Sequence, residues 1–224
     1  MSLDRNWWKY FLGLWMLLVI LGAFLYAPPA KGLGETARIL FFHVPMAWLA
    51  TLAFLISAIA SLLYLRKPEK KYDIWASSAA QIGLIFAVLA TVTGSIWAKK
   101  IWQSYWNWDP RETSIFILLL IYAAYFALRS AIDIDEQKAK LAAVYSLIAF
   151  VTVPFFIFII PRVYESLHPD PIIGNAGNIK MDIDSKMRPI FIGSFIGFTI
   201  LFYWMLRLKI EISKIKNTLD VQYK

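Results

Sequence analysis

The chain alternates between long, unbroken apolar runs and short polar connections. Six runs have about the length of a helix that crosses a bilayer core of about 30 Å, which is roughly 17–25 residues. Apolar residues are continuous within each run, whereas the strands of a membrane barrel alternate apolar and polar positions. The runs are 11–27, 40–65, 78–98, 113–128, 141–160 and 190–208. This pattern predicts an all-α integral membrane protein, a bundle of six transmembrane helices in one membrane domain over residues 1–224.

The first run has a second possible interpretation, as a secretory signal peptide. It is long, rich in Phe, Leu and Trp, and ends at Tyr26-Ala27-Pro28-Pro29 without a clear small-x-small cleavage site. We therefore interpret it as an uncleaved first span.

Composition agrees with a membrane protein and excludes several other classes. Hydrophobic residues make up 59% of the chain and charged residues 17%, whereas a soluble domain has about 25% charged residues. A soluble, disordered or fibrous protein is thereby disfavoured. The chain has no cysteine, which excludes disulfides, thiolate metal sites and iron–sulfur clusters. The net charge of +8 comes from basic residues that flank apolar runs, so we expect no nucleic-acid partner.

The distribution of Lys and Arg predicts the orientation. The two termini and the connections after the second and fourth runs carry 14 Lys/Arg, against 9 in the other three connections. Because basic residues concentrate on the cytoplasmic side, both termini are expected in the cytoplasm. Loops 98–112 and 161–189 then lie on the opposite side of the membrane.

Residues that could do chemistry all follow an odd-numbered span. His43 stands at the start of the second run, His168 follows the fifth, and a tryptophan-rich segment follows the third. Counting crossings places all three at the same face of the membrane, whichever way the protein is inserted.

Together these residues match the requirements of haem. Two imidazoles can ligate one haem iron from opposite sides, and large aromatic rings offer flat apolar faces to a porphyrin. Arginines can pair with the two propionates through charge-assisted hydrogen bonds. The candidate aromatic residues are Trp102, Tyr105, Trp106 and Trp108, and the candidate arginines are Arg38, Arg111, Arg162 and Arg188.

Each part of the pattern also has a purely structural interpretation. Tryptophans gather at membrane interfaces, which is the role expected of Trp7, Trp8, Trp75 and Trp97 and an alternative for the tryptophan-rich segment. A single histidine near an interface is usually a tolerated polar residue. The stretch Asp109-Pro110-Arg111-Glu112 predicts a capping box at the start of the fourth helix, a role that could coexist with one in a site.

Three segments resemble one known family. Residues 102–114 read Trp-Gln-Ser-Tyr-Trp-Asn-Trp-Asp-Pro-Arg-Glu-Thr-Ser and resemble the tryptophan-rich "WWD" signature of cytochrome c biogenesis haem-handling proteins. Residues 42–48, Phe-His-Val-Pro-Met-Ala-Trp, and 167–169, Leu-His-Pro, resemble the two histidine regions of that family. Six spans and the chain length point to its haem exporter protein C (CcmC) branch.

The sequence differs from the pattern of this branch at several positions. Ala98 and Gln103 stand where the branch commonly has glycine, and Tyr105 where it commonly has tryptophan. The segment is also similar to that of the related synthase branch, CcsA or ResC, whose members are usually longer and have extra histidines inside the membrane. The two histidines of this chain favour the shorter branch.

The resemblance implies specific roles for these residues. His43 and His168 match the axial ligands of haem b, bound as cargo. The residues that match the haem cradle are Trp102, Trp106, Trp108, Asp109 and Arg111, with Tyr105 in the same segment and Arg38 as the basic residue before the first histidine.

The resemblance also implies a place of action. It implies the cell inner membrane, with the haem site on the periplasmic side and delivery of haem to a periplasmic haem chaperone similar to CcmE. Further implied partners are a small single-span helper similar to CcmD and ATP-binding-cassette transporter subunits similar to CcmA and CcmB. No arrangement of nucleophile and base is visible, so no enzyme activity is expected.

Other functions remain open at this stage. A cytochrome b-like electron-transfer subunit would also use two histidines, and the haem-handling half of a cytochrome c synthase would share the signature. A transporter of another substrate is a third possibility. The six runs contain no Asp, Glu or Lys, and their single Arg, Arg207, lies next to the end of the last run. This disfavours a proton-coupled carrier.

Overall fold

A computed structural model describes residues 6–30, 32–168 and 183–222. Residues 169–182 of the expected loop 161–189, and the basic residues at positions 5, 31, 180 and 224, lie outside the described residues. The helices are α1 (Trp7–Leu21), continued by a π-helical segment (Gly22–Tyr26); a 3-10 turn (Glu35–Ile39); α2 (Leu40–Arg66); α3 (Lys70–Trp102); α4 (Pro110–Ser130); α5 (Asp135–Pro154), continued by a second π-helical segment (Phe155–Ile159); α6 (Ile160–Val163); and α7 (Met187–Gln222).

Six helical stretches are long and apolar enough to cross a membrane, which confirms the prediction of an all-α six-helix membrane protein. They are α1 with its π segment, α2 with the 3-10 turn, α3, α4, α5 through α6, and α7. The part of the chain that the structure describes contains no β-strand.

Several helices extend beyond their apolar runs. α3 begins at Lys70 rather than at residue 78 and ends at Trp102, so the connection expected at 98–112 is shortened to residues 103–109. Apolar runs mark only the part of a helix that lies in hydrocarbon, whereas the helix itself continues through the polar interface. This places Trp102 on the last turn of a helix rather than in a loop.

The core draws its buried residues from α2, α3, α4, α5 and α7, and one contact at its centre joins α2, α3 and α4. The rings of Phe54 and Tyr122 stack with centroids 3.5 Å apart and an angle of 13° between planes. Gly83 on α3 makes this possible, because a Cβ atom there would stand 2.7 Å from the Phe54 ring. Close packing at this point joins three of the helices whose residues line the site described below.

One end of the bundle collects the residues of interest. α2 and α4 begin there, and α3 and the α5–α6 stretch end there. We call it the site end. At the opposite end Arg129 of α4 donates two hydrogen bonds to Asp73 of α3, at 2.6 and 3.0 Å, and joins the two helices.

Pro154 changes the helix that follows it. Proline has no backbone N–H to donate, and the next residues, Phe155–Ile159, form π-helical turns. π-helical segments alter the direction of side chains and are frequent at functional sites. Phe156, Ile157 and Phe158 of this segment line the cavity at the site end.

Candidate functional site

A cavity of about 640 Å³ occupies the site end, between α2, α3, α4 and the π-helical segment after α5. This volume lies within the range of small-molecule sites, about 300–1,000 Å³. Its walls are mainly apolar and include Trp48, Ile115 and Phe195. Seven of its lining residues were singled out from the sequence: His43, His168, Trp102, Trp106, Asp109, Arg111 and Arg162.

The two histidines meet inside this cavity. Their ring centroids lie 6.3 Å apart and their planes are inclined by 32°. An imidazole nitrogen bonds a metal at about 2.0–2.1 Å, and its ring centroid lies about 1.1 Å further back, so two imidazoles on opposite sides of one metal have centroids about 6.3 Å apart. The separation therefore fits coordination of a single metal by both rings.

The ligand set favours an iron porphyrin over a bare ion. Among the described residues, no group of three or more His, Cys, Asp or Glu is positioned to hold a metal ion. Two imidazoles alone leave most coordination positions of a metal empty, whereas haem brings four nitrogens of its own and needs only axial ligands. The cavity wall also contains a buried hydroxyl group, that of Ser114, which is 3% exposed. Its Oγ has no hydrogen-bond partner among the described residues, so it is able to bond to a ligand in the cavity.

His43 stands on the first turn of α2 and rests against α3. Its Nδ1 lies 3.1 Å from the Oγ1 atom of Thr93. The next residue, Gly94, leaves space for the ring, since a Cβ atom at that position would stand 3.1 Å from His43 Cε1. A helix therefore presents this histidine and a second helix contacts it along one edge.

His168 lies in the segment after α6 and is held through its backbone. Its N–H donates to Ser166 Oγ at 3.1 Å. Ser166 Oγ in turn donates to the carboxylate of Asp109, 3.0 Å away, and the Leu167 N–H donates to the same carboxylate at 2.8 Å. Asp109 thus anchors the segment that carries the second histidine.

Asp109 also caps α4. Its carboxylate accepts the Arg111 N–H at 2.9 Å, and Glu112 accepts the Asp109 N–H at 3.4 Å. This confirms the capping box predicted from the sequence. With only 5% of the residue exposed, the Asp109 carboxylate joins the start of α4 to the His168 segment.

The tryptophan-rich segment divides into two groups. Trp102 and Trp106 line the cavity, whereas Tyr105 and Trp108 are 60% and 69% exposed and do not line it. Within this segment Gln103 and Trp108 both have left-handed φ values, 61° and 57°.

The arginines also divide. Arg111 and Arg162 line the cavity. Arg38 does not: its guanidinium pairs with Glu35 and donates to the Ala23 carbonyl. The Arg188 Nε donates to the Ile183 carbonyl at 3.0 Å, and Arg188 is likewise absent from the lining. The 3-10 turn directs the Arg38 side chain toward the end of α1, so it lies outside the cavity lining, and its role in the site stays a prediction.

Sequence reasoning missed Trp97. It was expected to be an interfacial ring, yet it is 7% exposed and lines the cavity. Its ring packs on His168 with a centroid distance of 5.4 Å and on Trp102 at 5.0 Å. The available signal was its position one helical turn after Thr93, on the face of α3 that contacts His43.

Comparisons with known proteins give matches over most of the chain. The family model described as Heme exporter protein C matches residues 1–222. The Heme exporter protein C of Bradyrhizobium diazoefficiens is 36% identical over 176 residues, which cover 79% of this chain and 66% of that protein, just under two thirds of its length. That of Rhodobacter capsulatus is 30% identical, with 83% and 76% covered. A putative cytochrome c biosynthesis ccmC-like mitochondrial protein of Marchantia polymorpha is 32% identical, with 79% and 75% covered.

Proposed function

The chain belongs to the Heme exporter protein C family, and from that premise we propose that it holds haem b as cargo at the periplasmic face of the cell inner membrane until a haem chaperone removes it. This is a step in the biogenesis of c-type cytochromes. The observation that carries the proposal is the 6.3 Å separation of the His43 and His168 rings inside an apolar cavity.

The cavity walls support a porphyrin in chemical terms. Trp102, Trp106 and Trp97 supply large apolar surfaces, and burial of porphyrin against such rings is favourable. Arg111 and Arg162 carry the positive charge that two propionates require. We propose that these two arginines, rather than Arg38, bind the propionates.

Holding a cargo differs from holding a resident cofactor, because the cargo must leave. His43 lies on a helix, whereas His168 lies on a short irregular segment fixed by Asp109 and Ser166. A segment of this kind can move at lower cost than a helix, since loops have fewer packed contacts. We propose that the His168 side opens for release.

The exposed members of the tryptophan-rich segment support contact with a partner. Tyr105 and Trp108 present aromatic surface beside the cavity, and exposed aromatic residues are typical of interaction sites. We propose that the periplasmic haem chaperone, similar to CcmE, docks there. The single-span helper similar to CcmD and the transporter subunits similar to CcmA and CcmB remain further proposed partners. We propose no catalysis by this chain on its own.

Purification of the protein in mild detergent, followed by visible spectroscopy, tests this function. We expect the spectrum of low-spin haem with two histidine ligands, and its loss in a His43→Ala/His168→Ala variant. A Trp75→Phe variant at the opposite end of the bundle serves as the control and should keep the spectrum. Equal haem absorbance in the wild type and the double variant would contradict the ligand assignment. Retention of one haem per chain in the presence of an acceptor would indicate an electron-transfer subunit instead.

A further inference from the structure

We infer that Thr93 and Gly94 of α3 position His43 so that its Nε2, and not its Nδ1, is presented to the iron. This inference rests on the proposed function, because it concerns the same ligand. It assigns a role to two residues that do not themselves bind haem iron.

The hydrogen bonds of Thr93 determine which ring nitrogen of His43 carries a proton. A threonine hydroxyl has one proton to donate. That proton is directed to its own helix, where the carbonyls of Leu89 and Ala90 lie 2.8 and 3.1 Å from Oγ1. With that proton directed to its own helix, the hydroxyl oxygen accepts toward His43, and a proton on Nδ1 then completes the 3.1 Å contact. In a neutral imidazole this leaves the lone pair on Nε2.

Gly94 fixes the ring from the adjacent edge. A Cβ atom at this position would stand 3.1 Å from His43 Cε1 and 3.6 Å from Nδ1. The first of these distances is tighter than ordinary van der Waals contact. Glycine therefore lets α3 approach the imidazole edge closely, and Thr93, the residue beside it, reaches Nδ1 from the same helix. Together they restrict rotation of the ring.

The choice of acceptor has a consequence for the strength of the iron bond. Metal-binding histidines are often oriented by a carboxylate, which raises the basicity of the ligating nitrogen. A threonine hydroxyl is neutral, so it orients the ring without adding negative charge to it. Among the described residues, no Asp or Glu hydrogen-bonds to His43. We infer that this arrangement gives an oriented ligand of ordinary strength, which suits a cargo that must be released.

A pair of substitutions at position 93 separates the hydroxyl from the shape of the side chain. Thr93→Val keeps the branched shape and removes the acceptor, whereas Thr93→Ser keeps the acceptor. Loss of a partner that orients a metal ligand typically weakens binding by about 10–100-fold. We therefore expect Thr93→Val to lose ferric haem to excess apomyoglobin roughly ten times faster than the wild type. Its electron paramagnetic resonance spectrum should contain additional low-spin or high-spin species. Thr93→Ser should resemble the wild type in both measurements.

Two further variants complete the test. Thr199→Val, on an exposed part of α7 where the hydroxyl donates to the Phe195 carbonyl of its own helix, is the control and should change neither measurement. Gly94→Ala should displace the His43 ring and give mixed ligation even though Thr93 is intact.

The outcomes distinguish this inference from the function itself. A wild-type protein without bound haem would overturn the proposed function. Haem bound equally and released at the same rate by the wild type and Thr93→Val would overturn the role of Thr93 and leave the proposed function standing. Equal effects of Thr93→Val and Thr93→Ser would also overturn it, because the hydroxyl would then not be the orienting group.

Discussion

The carboxylate of Asp109 binds the backbone of Leu167 across 2.8 Å, and so links the start of the fourth membrane helix to the segment after the fifth. The same carboxylate caps α4. Leu167 directly precedes His168 in the chain. Asp109 therefore affects the position of the second histidine without contacting its ring. The resemblance to known sequences had placed Asp109 in the haem cradle, and its hydrogen bonds assign it a supporting role there.

Replacement of Asp109 tests this supporting role. We expect Asp109→Ala to lower the free energy of unfolding by about 1–3 kcal/mol, since it removes a helix cap and leaves buried donors unpaired. It should also abolish the spectrum of haem with two histidine ligands, because the His168 segment loses its anchor. Thermal unfolding in detergent and visible spectroscopy measure the two effects. Asp109→Asn, which keeps one acceptor oxygen, should retain part of both properties; full haem ligation in Asp109→Ala would refute the anchoring role.

The tryptophans should separate into binding and surface residues. Trp102→Ala removes a wall of the cavity, so we expect a lower haem content on purification. Trp108→Ala removes an exposed ring that does not line the cavity, so haem content should stay at the wild-type level while transfer to the haem chaperone slows. Haem content per chain and the transfer rate are the two measurements. A Trp108→Ala variant that loses as much haem as Trp102→Ala would contradict the division.

The positions of the arginines predict which of them binds the haem propionates. Arg111→Gln should weaken haem binding by about 1.5–3 kcal/mol, the range for a hydrogen bond to a charged group. Arg38→Gln should have little effect, because Arg38 pairs with Glu35 outside the cavity. Titration with haem and with its dimethyl ester provides the check: the loss in Arg111→Gln should disappear with the ester. A larger effect of Arg38→Gln than of Arg111→Gln would contradict this division and support the site role expected of Arg38 from the sequence.

Gln103 should be a site where glycine stabilises the protein. Its φ of 61° is left-handed, a conformation that costs an ordinary residue about 1 kcal/mol or more and glycine almost nothing. We expect Gln103→Gly to raise the free energy of unfolding by up to about 1 kcal/mol. Gln81→Gly, inside α3, is the matched control and should lower it by about 1 kcal/mol. Destabilisation by Gln103→Gly in thermal unfolding would show that its backbone is not strained.

Most of the architecture could be predicted from the sequence, because hydrophobic length is a direct requirement of the bilayer. The apolar runs gave the six helices, and counting crossings predicted that His43, His168 and the tryptophan-rich segment share one end of the bundle. The capping box was visible because Asp109, Pro110 and Glu112 act within one helical turn. Each of these signals is local or depends only on the number of spans.

The remaining features depend on contacts between helices, which have no local signal. The bond from His43 to Thr93 requires α2 and α3 to pack at one particular register. Burial of Trp97 depends on the position of His168, and the direction of Arg38 depends on the end of α1. The π-helical turns after Pro154 likewise depend on how the helix accommodates a proline, which has no backbone N–H to donate. The amino-acid composition around these residues is that of an ordinary membrane interface, so it does not distinguish them as site residues.

The double use of the Asp109 carboxylate has a mechanical consequence. A partner that pulls the segment at residues 166–168 outward takes away the contacts that order this side chain, and the first turn of α4 then loses the geometry of its cap. Departure of the cargo and local unwinding of that helix would therefore occur as one event, and return of the segment would rewind both.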